Sequence, residues 1–507
     1  MKEKSRTEYS ILNTSVSSAS RIITIVLGYV TRIVFTRMLD QNYVGVSGLF
    51  LDVFKLLSLS ELGISVAITY ALYKPIAEGD AEKQKSVMDL YRRFYNGVAL
   101  TVLIAGLMIF PFLDSLIKGH PDVEHLELIY LLYLANSVVS YLFVYKKTLI
   151  DAHQQMYVSM GYYGGFMTLQ YVLQIIVLLC TGNFILYLAI YLLCTLLHNI
   201  AISQKAKRMF PYIKEKEVQP LPSEEKQDIL KNIKAMFMHK IGTVAVKNTD
   251  SLLISSMIGI VSTACYTNYY LVIGSVQQVL YQAFQGVSAS IGNLGAEEDD
   301  QKLEKVFKSI FFVGFWVYGF ASVCLFELLE PFVAISFGEQ YIFSIEVTFL
   351  LCLNFYLTGV RQAVISFRDS LGLFWYDRYK SIVEALINLG ASIVLALYFG
   401  TAGVFLGTLV STVLVPLWLE PYVLYKHRMK QPLKNYFIKL GVYTLVMLLG
   451  GVITHVICGY IEGNYVRQLI MKMPVCLLVP NILILLFFHR TGEFKYLVEK
   501  LKRFLRR

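Results

Sequence analysis

Residues 11–39 read ILNTSVSSASRIITIVLGYVTRIVFTRML, a stretch long and apolar enough to cross a bilayer that still carries Arg21 and Arg32 well inside its ends. A hydrocarbon core takes roughly 20 apolar residues as helix. At about 100° per residue, Ser17, Arg21, Thr24, Gly28 and Arg32 fall on one face of that helix. A cation at the centre of a span costs on the order of 2.5–3.5 kcal/mol against lipid, so the stripe is expected to face a water-filled or anion-holding interior. The alternative is snorkelling, Arg21 to one interface and Arg32, with Arg37, to the other.

The same kind of stretch recurs along the chain. With 56% hydrophobic and only 16% charged residues, the composition lies outside the range of soluble globular proteins. The pattern predicts an all-α polytopic membrane protein with fourteen spans: 11–39, 48–73, 91–113, 126–150, 158–179, 184–203, 229–258, 262–293, 306–329, 344–367, 376–397, 402–424, 436–458 and 469–488. Their connections leave no room for a separate soluble domain. The seven cysteines lie inside these stretches without motif spacing and read as packing residues. Lys2, Lys4 and Arg6 precede no short apolar run with a small-residue cleavage site, so span 1 is expected to be retained.

Lys and Arg concentrate in alternate loops, including Lys83, Lys85, Arg92 and Arg93, Lys146 and Lys147, Lys205 to Lys216, and Lys426 to Lys434. By the positive-inside rule both termini are expected to be cytoplasmic. The net charge of +10 is then topological, and nucleic acid is not an expected partner.

The chain also repeats itself. Ala77-Glu78-x-Asp80-x-x-Lys83-x-x-x-Val87 is echoed by Ala296-Glu297-x-Asp299-x-x-Lys302-x-x-x-Val306, a displacement of 296 − 77 = 219. Pro111-Phe112 matches Pro331-Phe332, Asn136 and Ser140 match Asn354 and Thr358, and Gly182 matches Gly400, at displacements of 218–220. Spans 1–6 and 7–12 therefore read as two copies of one unit. An even copy length gives them one orientation, which predicts a pseudo-two-fold axis along the membrane normal. The expected organisation is an N-lobe over 1–208, a cytoplasmic linker over 209–228, a C-lobe over 229–430, an extra helix pair over 431–490 and a basic amphipathic tail over 491–507.

Both copies carry charge within their spans. Span 2 adds Lys55, with Asp52 three residues earlier. Span 7 places Lys240, Thr243, Lys247 and Ser251 on one face beside Asp250, and span 10 places Asn354, Thr358, Arg361 and Arg368 likewise. Arg32, Lys55, Lys247 and Arg361, with Arg21, are the candidate contacts for an anionic substrate, because guanidinium groups match phosphate oxygens. Pairing of Lys55 with Asp52 and of Lys247 with Asp250 is the structural alternative. Asp52, Glu61, Asp250 and Glu384 are candidates for coupling to H+ or Na+, Glu384 sharing a face with Ser381 and Asn388. Gln170 and Gln174 are expected either to bond sugar hydroxyls or to satisfy one another.

Fourteen spans, a six-plus-six duplication with an extra pair, cations in spans 1, 2, 7 and 10, and the turn at Asp40–Gly45 together resemble the polysaccharide (O-antigen-type) flippases of the multidrug/oligosaccharidyl-lipid/polysaccharide exporter superfamily. The resemblance covers the whole chain and is architectural. It implies a flippase that moves an undecaprenyl-diphosphate-linked oligosaccharide outward by alternating access through a cationic central cavity. The resemblance further implies a bacterial plasma-membrane location and a role in cell-envelope polysaccharide synthesis, with glycosyltransferases, a glycan polymerase and membrane lipids as expected partners. The rival readings are a lipid II flippase, an ion-coupled multidrug exporter and a membrane-embedded glycan polymerase. The outer loops 114–125 and 330–343 are short for the last. No Gly-x-x-x-x-Gly-Lys-Ser/Thr sequence occurs, so a secondary transporter without its own ATPase or resident cofactor is expected.

Overall fold

The computed structural model describes residues 6–58, 64–118, 123–215, 218–296, 300–429 and 431–505; the side chains of 235–248, 285–290 and 292–296 are among those outside the described set. All regular structure in the described residues is helical. That is what a chain must do in hydrocarbon, where backbone polar groups have no water to bond. Among the described residues ten stretches are long and apolar enough to span a membrane, and one of them, Lys380–Arg428, covers two of the predicted spans. The predicted spans 48–73, 229–258 and 262–293 are helical over their described residues but are not among the ten.

Contacts divide the chain into two compact units, Met1–Ala264 and Cys265–Arg507. The first contains α1 (Arg6–Met38), α2 (Gln41–Leu57), α3 (Ile64–Ala77), α4 (Ala81–Ile109), α5 (Leu113–Leu116), α6 (Leu126–Tyr141), α7 (Lys147–Ala152), α8 (Met156–Thr181), α9 (Phe184–Met209) and α10 (Ser223–Leu253). The boundary falls within α11 (Ile260–Ala296). The second contains α12 (Asp300–Ser336), α13 (Ile345–Val360), α14 (Gln362–Ser370), α15 (Lys380–Leu414), α16 (Pro416–Arg428), α17 (Leu433–Gly459), α18 (Tyr465–Phe488) and α19 (Gly492–Leu505).

In the first unit α1 lies along α8, and small residues permit the approach. A Cβ added at Gly164 would come within 2.6 Å of the Ser20 hydroxyl, and that hydroxyl donates to the Met160 carbonyl at 3.1 Å. α10, the first helix of the second sequence repeat, packs on α2 and α3. The segment before α10 is tied to the start of α4: Lys85 donates to Glu82 and to Glu215 at 2.8 and 2.7 Å, Lys83 to Glu225 at 2.7 Å, and Ser86 to the Gln219 carbonyl. Span 4 is broken, with α6 ending where Phe143 adopts a left-handed φ of 66°. Just before it, the Val139 and Ser140 carbonyls both accept from the buried Asn199 amide.

In the second unit α15 folds back on itself at Gly400, whose φ of 57° and ψ of −132° suit a residue without Cβ. The returning limb packs tightly on the outgoing one. Asn388 donates to Thr408 and Ser392 to the Val404 carbonyl, each at 3.0 Å, and a Cβ on Gly407 would meet the Ser392 hydroxyl at 2.2 Å and its backbone nitrogen at 2.4 Å. Gly407→Val is therefore expected to force the limbs apart at an overpacking cost of about 1–3 kcal/mol. It should lower the amount of folded protein recovered from the membrane; wild-type recovery and melting would contradict the packing described.

Helix α19 docks on α12. Phe494 stacks on Trp316 at 6.0 Å between centroids, the Lys305 ammonium lies 5.1 Å from the Tyr496 ring centroid, and Lys439 of α17 pairs with Glu493. Burial pushes the Glu493 carboxyl up, but the Lys439 ammonium outweighs it and holds the carboxyl below its ordinary value. A lowered folded-state pKa contributes stability above the ordinary carboxylate range and loses it as pH falls through the lowered value. Protease cleavage ahead of α19 is thus expected to accelerate in acid, and Glu493→Gln should remove that acid dependence.

Candidate functional site

The stripe on α1 divides on folding. Gly28 approaches the Tyr171 hydroxyl, at 3.4 Å from its ideal Cβ, so this side of the stripe packs on α8. Arg21 and Arg32 lie at its edge. Arg21 is exposed, and no carboxylate among the described residues pairs with it. Arg32 is half-buried, with its guanidinium 5.6 Å from the Phe35 ring centroid. Phe35 stands on Phe184 and Tyr187, at 5.4 and 5.2 Å, and Tyr43 closes on Phe184 at 5.5 Å. The Arg32 charge also acts on the phenols of the buried Tyr133 and the half-buried Tyr187. An arginine on an aromatic wall beside an exposed one presents fixed positive charge with donors in a planar fork.

Lys55 sits 2.8 Å from Asp52, the pairing that their spacing offered, with 59% of its side chain exposed. Gln170 donates to Gln174 at 3.2 Å, and Gln174 to the Tyr187 carbonyl, so these two buried amides satisfy one another and the backbone. Asp250 is buried and Glu384 half-buried. Beyond Glu384, the fully buried Asn388 leaves its side-chain oxygen without a partner. Glu61 and the side chain of Lys247 lie outside the described residues.

Arg361 is committed to an acid that the sequence reading did not include. It stands at the break between α13 and α14, where its Nε and Nη2 donate to the two oxygens of Glu420 at 3.0 and 2.9 Å. Glu420, on α16, is fully buried. Lys380 reaches the same carboxylate at 2.5 Å, and Arg368 approaches it at 3.6 Å while donating to Asp377 at 2.5 Å and to Asp369 at 2.7 Å. Three cations thus face three carboxylates, a formal sum of 3 − 3 = 0. The network ties α14, the start of α15 and α16 together. The one signal in the sequence was an acid inside the apolar run Leu414–Leu424, flanked by Pro416 and Pro421.

A family model described as "Polysaccharide biosynthesis protein" matches residues 10–289, more than half of the 507. The chain belongs to that family. No curated protein matches it significantly in sequence. Among solved structures, the lipid II flippase MurJ in its inward closed conformation aligns at a TM-score of 0.66 and 14% identity, over 93% of this chain and 98% of that one. An inward-facing multidrug resistance MATE transporter of the MOP superfamily aligns at 0.62 and 16%, over 82% and 98%. A point mutant of the Vibrio cholerae MATE transporter VcmN aligns at 0.55 and 15%, over 84% and 99%. At such identities these likenesses show the fold alone. This polysaccharide biosynthesis family member is a multi-pass membrane protein with the flippase-like transporter fold of MurJ and the MATE proteins.

Proposed function

We propose that the protein turns an undecaprenyl-diphosphate-linked oligosaccharide from the inner to the outer leaflet of the bacterial plasma membrane, by alternating access. The observation that carries this reading is the pair of α1 cations, Arg21 exposed and Arg32 half-buried on aromatics, in a chain of the polysaccharide biosynthesis family. A diphosphate offers several oxygens to such forks. Arg361 leaves the list of preferred contacts because Glu420 occupies its donors, and Lys55 is partly neutralised by Asp52. Lys247 remains a candidate on sequence grounds. Coupling to H+ or Na+ is assigned to Asp250 and Glu384, with Asp52 and Glu61 as the other candidates, and no cofactor is invoked.

Lipid II is the second reading, favoured by the likeness to a solved lipid II flippase fold. Proteoliposomes holding the purified chain distinguish the two: a lipid-diphosphate oligosaccharide is expected to become accessible from the opposite face, and lipid II to move much less. Equal movement of both, or movement of lipid II alone, would overturn the assignment. Topology is a separate expectation: reporters at residue 215 and after residue 507 should read cytoplasmic and one at residue 120 external. A cytoplasmic signal at 120 would break the fourteen-span count.

A further inference from the structure

The two sequence repeats interrupt a helix at the same position, at a left-handed Phe143 in the first and at a right-handed Arg361 in the second, and surround the interruption differently. With the displacement of 354 − 136 = 218, Phe143 corresponds to Arg361, since 143 + 218 = 361, and Glu420 corresponds to residue 202, beside Ser203, since 420 − 218 = 202. In the second unit the cations at the break meet a carboxylate from α16. In the first unit the cation at the break is Lys146, only 8% exposed, and the equivalent helix α9 offers it the Ser203 hydroxyl at 3.0 Å. Its remaining surroundings are the rings of Tyr145 and Phe143, at 5.4 and 6.0 Å, and two further cations, Lys207 in direct reach and Arg92 beyond it. Asp89 is taken by Arg92 and Arg93, and Asp151 accepts from Ser159. No carboxylate among the described residues pairs with Lys146.

A buried ammonium needs a counter-ion or a full set of acceptors, and a second ammonium at close range raises that demand. One hydroxyl and two ring faces supply part of it. We infer that Lys146, with Lys207 and Ser203, binds the phosphate of an anionic headgroup at the basic end of the first unit, in the place that Glu420 takes in the second. The inference does not depend on which glycan the protein carries. The basic flank of Arg92, Arg93 and Lys205 suits the anionic inner leaflet.

The test uses the purified full chain in detergent, with dioctanoyl phosphatidylglycerol, dioctanoyl phosphatidylcholine and inorganic phosphate as probes, read by native mass spectrometry and by melting. Phosphatidylglycerol is expected to bind and to raise the melting temperature. Lys146→Gln should weaken it about tenfold, the loss of one charge-assisted contact. Ser203→Glu should weaken it similarly while melting higher than wild type without lipid, because it supplies the carboxylate internally. It also keeps the test alive should Lys146→Gln fail to fold. Stabilisation by inorganic phosphate matching that by phosphatidylglycerol would assign the site to a soluble phosphate instead of a lipid. Undiminished phosphatidylglycerol binding by both variants, or no binding of either anion by wild type, would overturn the inference.

Discussion

Glu420→Ala is expected to remove most of the protein from the membrane. The change takes away both acceptors of the Arg361 fork and the nearest carboxylate of Lys380, and leaves those cations buried. Breaking a buried pair by deleting one partner costs about 3–5 kcal/mol, a large share of the stability of a typical domain. Arg361→Ala should do comparable damage, although Lys380 and Arg368 still offer Glu420 some charge. Removing both partners with apolar residues of similar size is different in kind, since no orphaned charge remains. The double variant Arg361→Met with Glu420→Leu should therefore recover much of the abundance that each single change loses. If it also recovers glycan export, Arg361 is a structural residue; if abundance returns and export does not, Arg361 touches substrate after all. Membrane protein level and surface glycan measured in the same cells separate these outcomes.

Arg32→Glu is expected to abolish export while the protein stays in the membrane at close to its normal level. The Arg32 guanidinium lies against the Phe35 ring, and a half-buried position on that aromatic wall tolerates a shorter side chain. In the proposed function its contribution is to the substrate, where a charge-assisted contact is worth about 1.5–3 kcal/mol. Arg32→Ala should lose that contact and reduce export roughly tenfold or more. Arg32→Lys should restore part of it, supplying charge without the fork. Glutamate should be worst because it repels the phosphate that arginine attracts. A snorkelling arginine would give another order, with Ala and Lys both near wild type. Arg21, exposed on the same helix, should follow the same order with smaller steps.

These two arginines show how far a sequence of this kind can be read. The α1 stripe was legible because helical periodicity puts Arg21 and Arg32 on one face whatever surrounds them. Local pairs were legible for the same reason: Asp52 with Lys55 and Gln170 with Gln174 lie one turn apart and meet in the structure. The Arg361–Glu420 pair was not legible, because the partners lie 59 residues apart and no local pattern encodes how α16 packs. Lys380 carries the same lesson. It stands at a helix start, yet its side chain is only 9% exposed and its ammonium lies on Glu420. The break at Phe143 had no signal at all, since a left-handed phenylalanine leaves neither glycine nor proline behind. The helical class was carried by the apolar runs, and the fold they build is shared with solved neighbours at 14–16% identity.

The most direct measurement is to delete the gene and identify the lipid-linked species that builds up on the inner face of the membrane. The expected species is an undecaprenyl-diphosphate-linked oligosaccharide, cleared when wild-type protein is restored and left in place by Arg32→Glu expressed at the same level. Accumulation of lipid II in its stead, or clearance by Arg32→Glu as complete as by wild type, would contradict the proposed function.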